Sequence, residues 1–312
     1  MKIIDFETIK NLNIPKNKYY EWVSQIINEK REMILPAKIS MKPDIDGVFY
    51  NCMPSILPKY DWAGVKLVTR YPKRIPSLTS ELLLYDLKTG HPIALMDATY
   101  ITAMRTGAVA VHTILLLAKK QFQTIGFIGL GNTARATLKI LLSVEGNRKL
   151  KIKLLKYKNQ HIVFANEFEN KNLTFEFYDT PEEVIGNSDV IISAVTVLKT
   201  DICEDKYFAK GCLVVPIHTR GFTNCDLFFD KVYADDVNHV KGFKYFSRFK
   251  AFAETCDVVN GSNPGRENNN ERILAYNIGI SLHDVFFAGK ISEMAKDIVD
   301  VDLKQPIDKF WL

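Results

Sequence analysis

The spacing of apolar and polar positions changes character along the chain. From Leu78 to Met96, "LTSELLLYDLKTGHPIALM" reads as two strands joined at Asp86–Gly90, with Lys88-Thr89-Gly90 as turn chemistry. "ATYITAMRTGAVAVHTILLLAKK" (98–120) follows as a long helix, apolar nearly all round. Such a helix is expected to be buried and suits a spine between two domains. After it, predicted strands and helices alternate: strand 125–128, helix 133–142, strand 152–157, helix 161–168 and strand 173–178. In "TPEEVIGNSD", Thr180 suits a helix cap, Pro181 the first helical position, and Glu183 completes a capping box. "VIISAV" (190–195) and "CLVVPI" (212–217) are short, β-branched runs of the fully buried kind. Strands separated by helices imply right-handed crossovers and a parallel sheet covered on both faces. The middle of the chain is therefore expected to be doubly wound α/β.

One turn in this alternation carries candidate chemistry. Within "TIGFIGLGNTARATLKILL" (124–142), residues 129–134 read G-x-G-x-x-A. Gly129 permits a tight turn, Gly131 lets a pyrophosphate approach the backbone, and Ala134 is small enough for the helix to pack on its strand. The helix N-terminus then offers unpaired N–H groups and the positive end of a dipole to an anion. Dinucleotide binding is the reading this context supports; the competing one is a glycine turn that serves close packing. The end of the second strand often carries an acid for the ribose of NAD. Here "LLKYKNQ" (154–160) offers Lys156 and Lys158 and no carboxylate, so NADP is preferred over NAD.

Size and composition narrow the classes. A chain of 312 residues, 47% hydrophobic and 25% charged, is expected to hold about two domains with ample core material. The net charge of +5 is mild and scattered. The lysines of "NRKLKIKLLKYK" (147–158) alternate with apolar residues as on a half-exposed strand, a solvated face rather than a nucleic-acid patch. No aromatic and basic array suits base stacking, so no nucleic-acid partner is expected. The five cysteines show no C-x-x-C and no zinc-like spacing, which leaves no metal site and free thiols as the expectation. Asp5 and Glu7 interrupt the N-terminal apolar stretch, and no run approaches the roughly 20 apolar residues of a membrane span. A cytoplasmic protein without membrane contact is expected.

Three charged residues lie in apolar surroundings. Arg105 sits inside "YITAMRTGAVAV", and a buried guanidinium requires an anionic partner, either a structural ion pair or a bound phosphate or carboxylate. Lys66, in "DWAGVKLVTRY", is flanked by Val65 and Leu67 and poses the same question. Pointed into one cleft, the two would bind a carboxylate by a fork and a point charge. Asp226, in "TRGFTNCDLFF", follows a strand ending near Ile217, at the ligand-facing end of a doubly wound sheet. A partly desolvated aspartate there could exchange a proton near neutral pH. Singly, each suits a structural role better than a catalytic one.

Taken together, "GVKLVTRYP" (64–72), "LLYDLKTGHPIALMDATYITAMRTGAVAV" (83–111), "IGFIGLGNTA" (125–134), "SDVIISAVT" (188–196) and "ILAYNIGISLHDVFFA" (273–288) resemble the ornithine cyclodeaminase/μ-crystallin family in order and spacing. The resemblance covers nearly the whole chain from about residue 30. It implies a homodimer with a Rossmann NAD(P)-binding domain, drawn here as 116–281, and a smaller α+β substrate-binding and dimerisation domain, 1–115 completed by 282–312. It further implies that Lys66 holds a substrate carboxylate and that Arg105 and Thr106 stand beside cofactor phosphates and substrate. Ser77 matches a cofactor-contacting position, Asn132 and Thr133 offer backbone amides to the pyrophosphate, and Thr196 flanks the nicotinamide half. Asp226 matches the family's acid/base aspartate.

Departures accompany the match. Lys38 stands near "LPAK" where the family often has a second carboxylate-binding arginine. His218 replaces a usual glycine in "IHTRGFTN", where loop packing is preferred over proton transfer as its role. Asn51 stands where ornithine cyclodeaminase itself has a diamine-handling glutamate. The resemblance thus implies an NAD(P)-dependent oxidoreductase working on the Cα–N bond of an amino or imino acid, as an amino acid dehydrogenase or ketimine reductase. The alternatives are a redox-neutral ornithine cyclodeaminase and a binder of NADP or another small ligand without turnover.

Overall fold

A computed structural model describes residues 1–195, 201–217, 222, 225–296, 298–304, 306, 308 and 309. In chain order its first elements are β1 (Lys2–Ile4), α1 (Phe6–Asn11), α2 (Lys16–Asn28), β2 (Ile39–Met41), β3 (Phe49–Leu57), β4 (Trp62–Arg70), β5 (Leu78–Asp86), β6 (Pro92–Asp97) and α3 (Thr99–Leu117). There follow β7 (Thr124–Ile128), α4 (Asn132–Val144), β8 (Leu150–Leu155), α5 (Gln160–Glu167), β9 (Leu173–Tyr178), α6 (Pro181–Ile185), β10 (Val190–Ser193) and β11 (Leu213–Pro216). The last are β12 (Lys231–Ala234), α7 (Val237–Val240), β13 (Phe252–Glu254), α8 (Thr255–Val259), β14 (Ile273–Tyr276) and α9 (Ser281–Met294). They form two compact units: 1–14, 32–102 and 281–312 in one, 15–31 and 103–280 in the other.

The first unit is built on a six-stranded sheet, β1-β6-β5-β4-β3-β2, antiparallel except for the parallel β1–β6 pair. The expected hairpin is β5–β6, with the Asp86 carboxylate accepting from the Thr89 N–H at 2.7 Å and Gly90 at φ +73°. Along β4, Trp62, Gly64, Lys66 and Val68 alternate onto the buried face. That face is covered by α9, which packs on β3, β4, β5 and β6. Two glycines bring the helix close. A Cβ on Gly64 would lie 2.9 Å from Val285 Cγ2, and one on Gly289 would collide with the Trp62 ring.

The second unit holds an eight-stranded, wholly parallel sheet, β13-β12-β14-β11-β10-β7-β8-β9. The chain runs outward from β7 to β9, then returns to lay β10 on the other side of β7. The end of β7 is therefore a topological switch point, where open α/β sheets open a crevice for ligands. The predicted capping box is present: Thr180 Oγ1 accepts from the Glu183 N–H, and the Glu183 carboxylate accepts from the Thr180 N–H.

Several expectations are corrected. The division falls at Thr102/Ala103 inside α3, not at 115/116, and residues 15–31 join the parallel-sheet unit. The reason is the buried face of α2 (Tyr19, Trp22, Val23, Ile26, Ile27), which packs on α4 and α8. Lys30, itself buried, then pairs with Asp236 at 2.9 Å and Glu254 at 2.8 Å, and Arg31 with Asp257 at 2.7 Å. Helix α3, at 19 residues, is long and apolar enough to cross a membrane, although no such run was expected. Ala108, Ala110, Val111, Ile114 and Leu117 are all fully buried, so its apolar surface is spent on protein core. β8 ends at Leu155, two residues short of the prediction, and it is not evenly half-exposed. Lys153 is buried, its Nζ donating to the Glu183 and Gly186 carbonyls at the end of α6 at 2.7 and 2.6 Å.

Candidate functional site

In the parallel-sheet unit, the turn from β7 into α4 is shaped by glycines that differ in kind. Gly129 has φ +91°, and a Cβ there would lie 2.7 Å from the Ala194 carbonyl carbon beyond β10. Only glycine fits this left-handed and crowded position. Gly131 is exposed, and an added Cβ would meet nothing within 4 Å. It is the N-cap of α4 and makes no side-chain capping bond, so among the described residues the first N–H groups of this 13-residue helix are left without a side-chain cap beside open space. Asn132 is exposed and Thr133 half-buried at those positions, and Ala134 is fully buried against the sheet. Gly107 of α3 allows close packing on α4, since a Cβ there would fall 2.7 Å from the Thr137 nitrogen. Such a bare N-terminus with backbone free to be approached fits a pyrophosphate.

At the end of β8 the charge is more balanced than the sequence suggested. Lys156 pairs with Asp179, from the end of β9, at 2.9 Å. Lys158 is exposed, has φ +49°, and lies 5.5 Å over the Tyr157 ring.

Arg105 and Thr106 are buried on α3. The Arg105 guanidinium lies against Gly279, where a Cβ would approach Nη1 to 2.6 Å. Gly279 has φ +89° and donates its N–H to the Asp235 carboxylate at 2.5 Å. Arg105 and Asp235 thus converge on one glycine.

Asp226 is fully buried, and neither carboxylate oxygen has a hydrogen-bond partner among the described residues. Burial raises its pKa from 3.8 to about 6; the nearby Leu227 backbone N–H, which falls short of a full hydrogen bond, opposes that rise. The Tyr276 hydroxyl, at the end of β14, is held well above its usual range by burial and by the charge of Asp226. A carboxyl so placed holds or releases a proton near neutral pH. Thr196 and His218 lie outside the described residues.

The six-stranded unit places the other predicted residues. Lys66 is wholly buried, in register with Met53 on β3 and Leu82 on β5. Its Nζ meets Asp284 Oδ1 of α9 at 2.7 Å and donates to Thr102 Oγ1 at 3.3 Å. Lys38 is half-buried ahead of β2. The Ser77 carbonyl accepts from the Tyr71 N–H at 2.8 Å, one residue after the cis Ile75–Pro76 bond. Sequence reasoning missed Asp284, Asp235 and Gly279. The signal was available for Asp284, a carboxylate inside the apolar helix "SLHDVFFA", the same anomaly that marked Arg105.

The chain as a whole is similar to known proteins. The model of the ornithine cyclodeaminase/mu-crystallin family matches residues 23–298. The nodulation efficiency protein NfeD of Rhizobium meliloti is 27% identical over 84% of this chain and 85% of its own. A Delta(1)-pyrroline-2-carboxylate reductase of Bacillus cereus is 26% identical over 95% of this chain and 97% of its own. The structure of the Thermococcus litoralis Delta(1)-pyrroline-2-carboxylate reductase, solved with NADH and L-proline, superposes with a TM-score of 0.83 at 25% identity. It covers 96% of this chain and 100% of that one.

Proposed function

Because the chain belongs to the ornithine cyclodeaminase/mu-crystallin family, we propose that it is an NAD(P)-dependent oxidoreductase acting at the Cα–N bond of an amino or imino acid. Within that class it is of the ketimine reductase or amino acid dehydrogenase type. The observation that carries this reading is Asp226, a buried carboxyl with no partner among the described residues and a pKa raised to about 6.

Each residue has one task in this proposal. Gly129, Gly131, Asn132 and Thr133 hold the pyrophosphate through the uncapped amides of α4, with Ser77, Arg105, Thr106 and Thr196 as further cofactor contacts. When bound, the nicotinamide supplies hydride exchange with the substrate carbon. Lys66 and Lys38 hold the substrate carboxylate, and Arg105 adds a fixed guanidinium. Fixed cations orient Cα and need no rearrangement during reaction. Asp226 gives a proton to the substrate nitrogen in reduction and takes it back in oxidation. Lys158, which has no carboxylate partner among the described residues, favours NADPH, whereas the Thermococcus relative was solved with NADH.

A homodimer formed through the six-stranded unit is part of the proposal. The edge strand β2 exposes Ile39 and Met41, and Ile34 and Ile45 flank it, an apolar edge that soluble monomers avoid. A cytoplasmic setting suits the five free cysteines.

The test is a three-way assay. NADPH consumed in proportion to Δ1-pyrroline-2-carboxylate or another imino acid is the expected result. Ammonia released from ornithine with catalytic cofactor would instead make the protein a cyclodeaminase, and stoichiometric NADPH binding without consumption across the panel would make it a binder.

A further inference from the structure

Lys66 lies in a cross-sheet row with Met53, Leu82, Met96 and Ile4, every one buried. A lone ammonium in such a row would lose its proton or turn away. It is met instead by Asp284 at 2.7 Å, and the Thr102 hydroxyl that it also contacts is itself tied to Ser80 Oγ at 3.0 Å. Two helices therefore fix the direction of one lysine.

The pair is not alone in docking α9. Val285 over Gly64, Trp62 over Gly289, and the Ser281 hydroxyl donating to the Pro54 carbonyl at 2.6 Å already seat that helix. A buried ion pair is poor cement, because apolar side chains of similar volume often stabilise as well or better. Its presence calls for something that only a charged, aimed lysine does.

We propose that Asp284 is a positioning residue for substrate selection: it keeps Lys66 charged and aimed, and so confers preference for substrates bearing a carboxylate next to the reacting carbon. The inference rests on the proposed function, which assigns Lys66 to the carboxylate. Asp284 acts on the substrate through Lys66.

The probes are Δ1-pyrroline-2-carboxylate and 1-pyrroline, the same ring without the acid group, each with NADPH. Asp284→Asn should raise KM for the carboxylated imine at least thirtyfold and leave kcat/KM for 1-pyrroline within threefold of wild type. Asp284→Glu should restore part of the preference, and Asp284→Asn should add nothing in a Lys66→Met background. The pair replacement Lys66→Met with Asp284→Leu controls for folding: it should melt near wild type and be as unselective as Lys66→Met alone. Unchanged preference in Asp284→Asn, or equal loss on both imines, overturns the proposal. A wild type that turns over neither these imines nor any other amino or imino acid of the panel, with NADPH or NADH, overturns the functional reading instead. The pair is then judged by calorimetry with L-proline, where a tenfold weaker Asp284→Asn supports it and equal affinity overturns it.

Discussion

At the end of β7 the proposed anion cradle is made of main chain. At Gly129 the Ala194 backbone excludes any side chain, while Gly131 faces open space at an uncapped helix. In the six-stranded unit, the proposed substrate contact uses two side chains remote in sequence, Lys66 and Asp284, which are held in a buried pair by the packing of α9 on its sheet. The first arrangement is local and tolerates change outside a few residues. The second exists only when a helix and a strand meet in one register. Backbone sites should therefore fail by steric insertion, and the pair by loss of a partner.

Of these two regions, the pair should give the larger effect. Lys66→Met leaves Asp284 buried without its ammonium, at a cost of about 3–5 kcal/mol. Urea unfolding should register that cost, with kcat/KM for the imino acid falling by more than about a hundredfold and NADPH affinity little altered. A Lys66→Met protein as stable as wild type would remove the distinction.

Gly129→Ala comes next. Strain at φ +91° alone costs roughly 1–3 kcal/mol, and the Ala194 contact adds to it. Lower Tm and weakened NADPH binding should appear together. Gly131→Ala has no clash to pay for, so its Tm should match wild type within about a degree while cofactor affinity falls by about tenfold. If the two alanine variants behave alike, the glycines do not have separate roles.

The smallest expected effect is coenzyme choice. Lys158→Asp should shift the NADPH to NADH affinity ratio by about fivefold, as befits one exposed charge. An unchanged ratio would take Lys158 out of the cofactor site.

What was legible in the sequence follows the same division. The strand, glycine turn and helix at residues 124–142, the Thr180 capping box and the β5–β6 hairpin are local patterns, and all three are present. The end of β8 was placed two residues too far, because its lysines do not simply alternate between solvent and core. Lys153 turns inward to the carbonyls closing α6, and those become its partners only in the folded sheet. Helix α2 was not assigned to the parallel-sheet unit because Lys30 and Arg31 find their carboxylates more than two hundred residues later. Lys66 was suspected from its apolar neighbours, but nothing near it announces Asp284.

Asp226 carries the catalytic claim, and its linkage has a definite sign. With the folded pKa raised from 3.8 to about 6, the native state holds the proton more tightly, so this group favours folding least above pH 6. Asp226→Asn should accordingly gain about 1–3 kcal/mol at pH 7.5 relative to wild type, a gain that fades as pH falls towards 4.

The most direct test is steady-state turnover of Δ1-pyrroline-2-carboxylate by Asp226→Asn, alongside its NADPH affinity by fluorescence titration. If Asp226 moves the substrate proton, turnover falls by about a thousandfold while affinity stays within twofold of wild type. Near wild-type turnover in the folded, NADPH-binding variant would contradict the assignment.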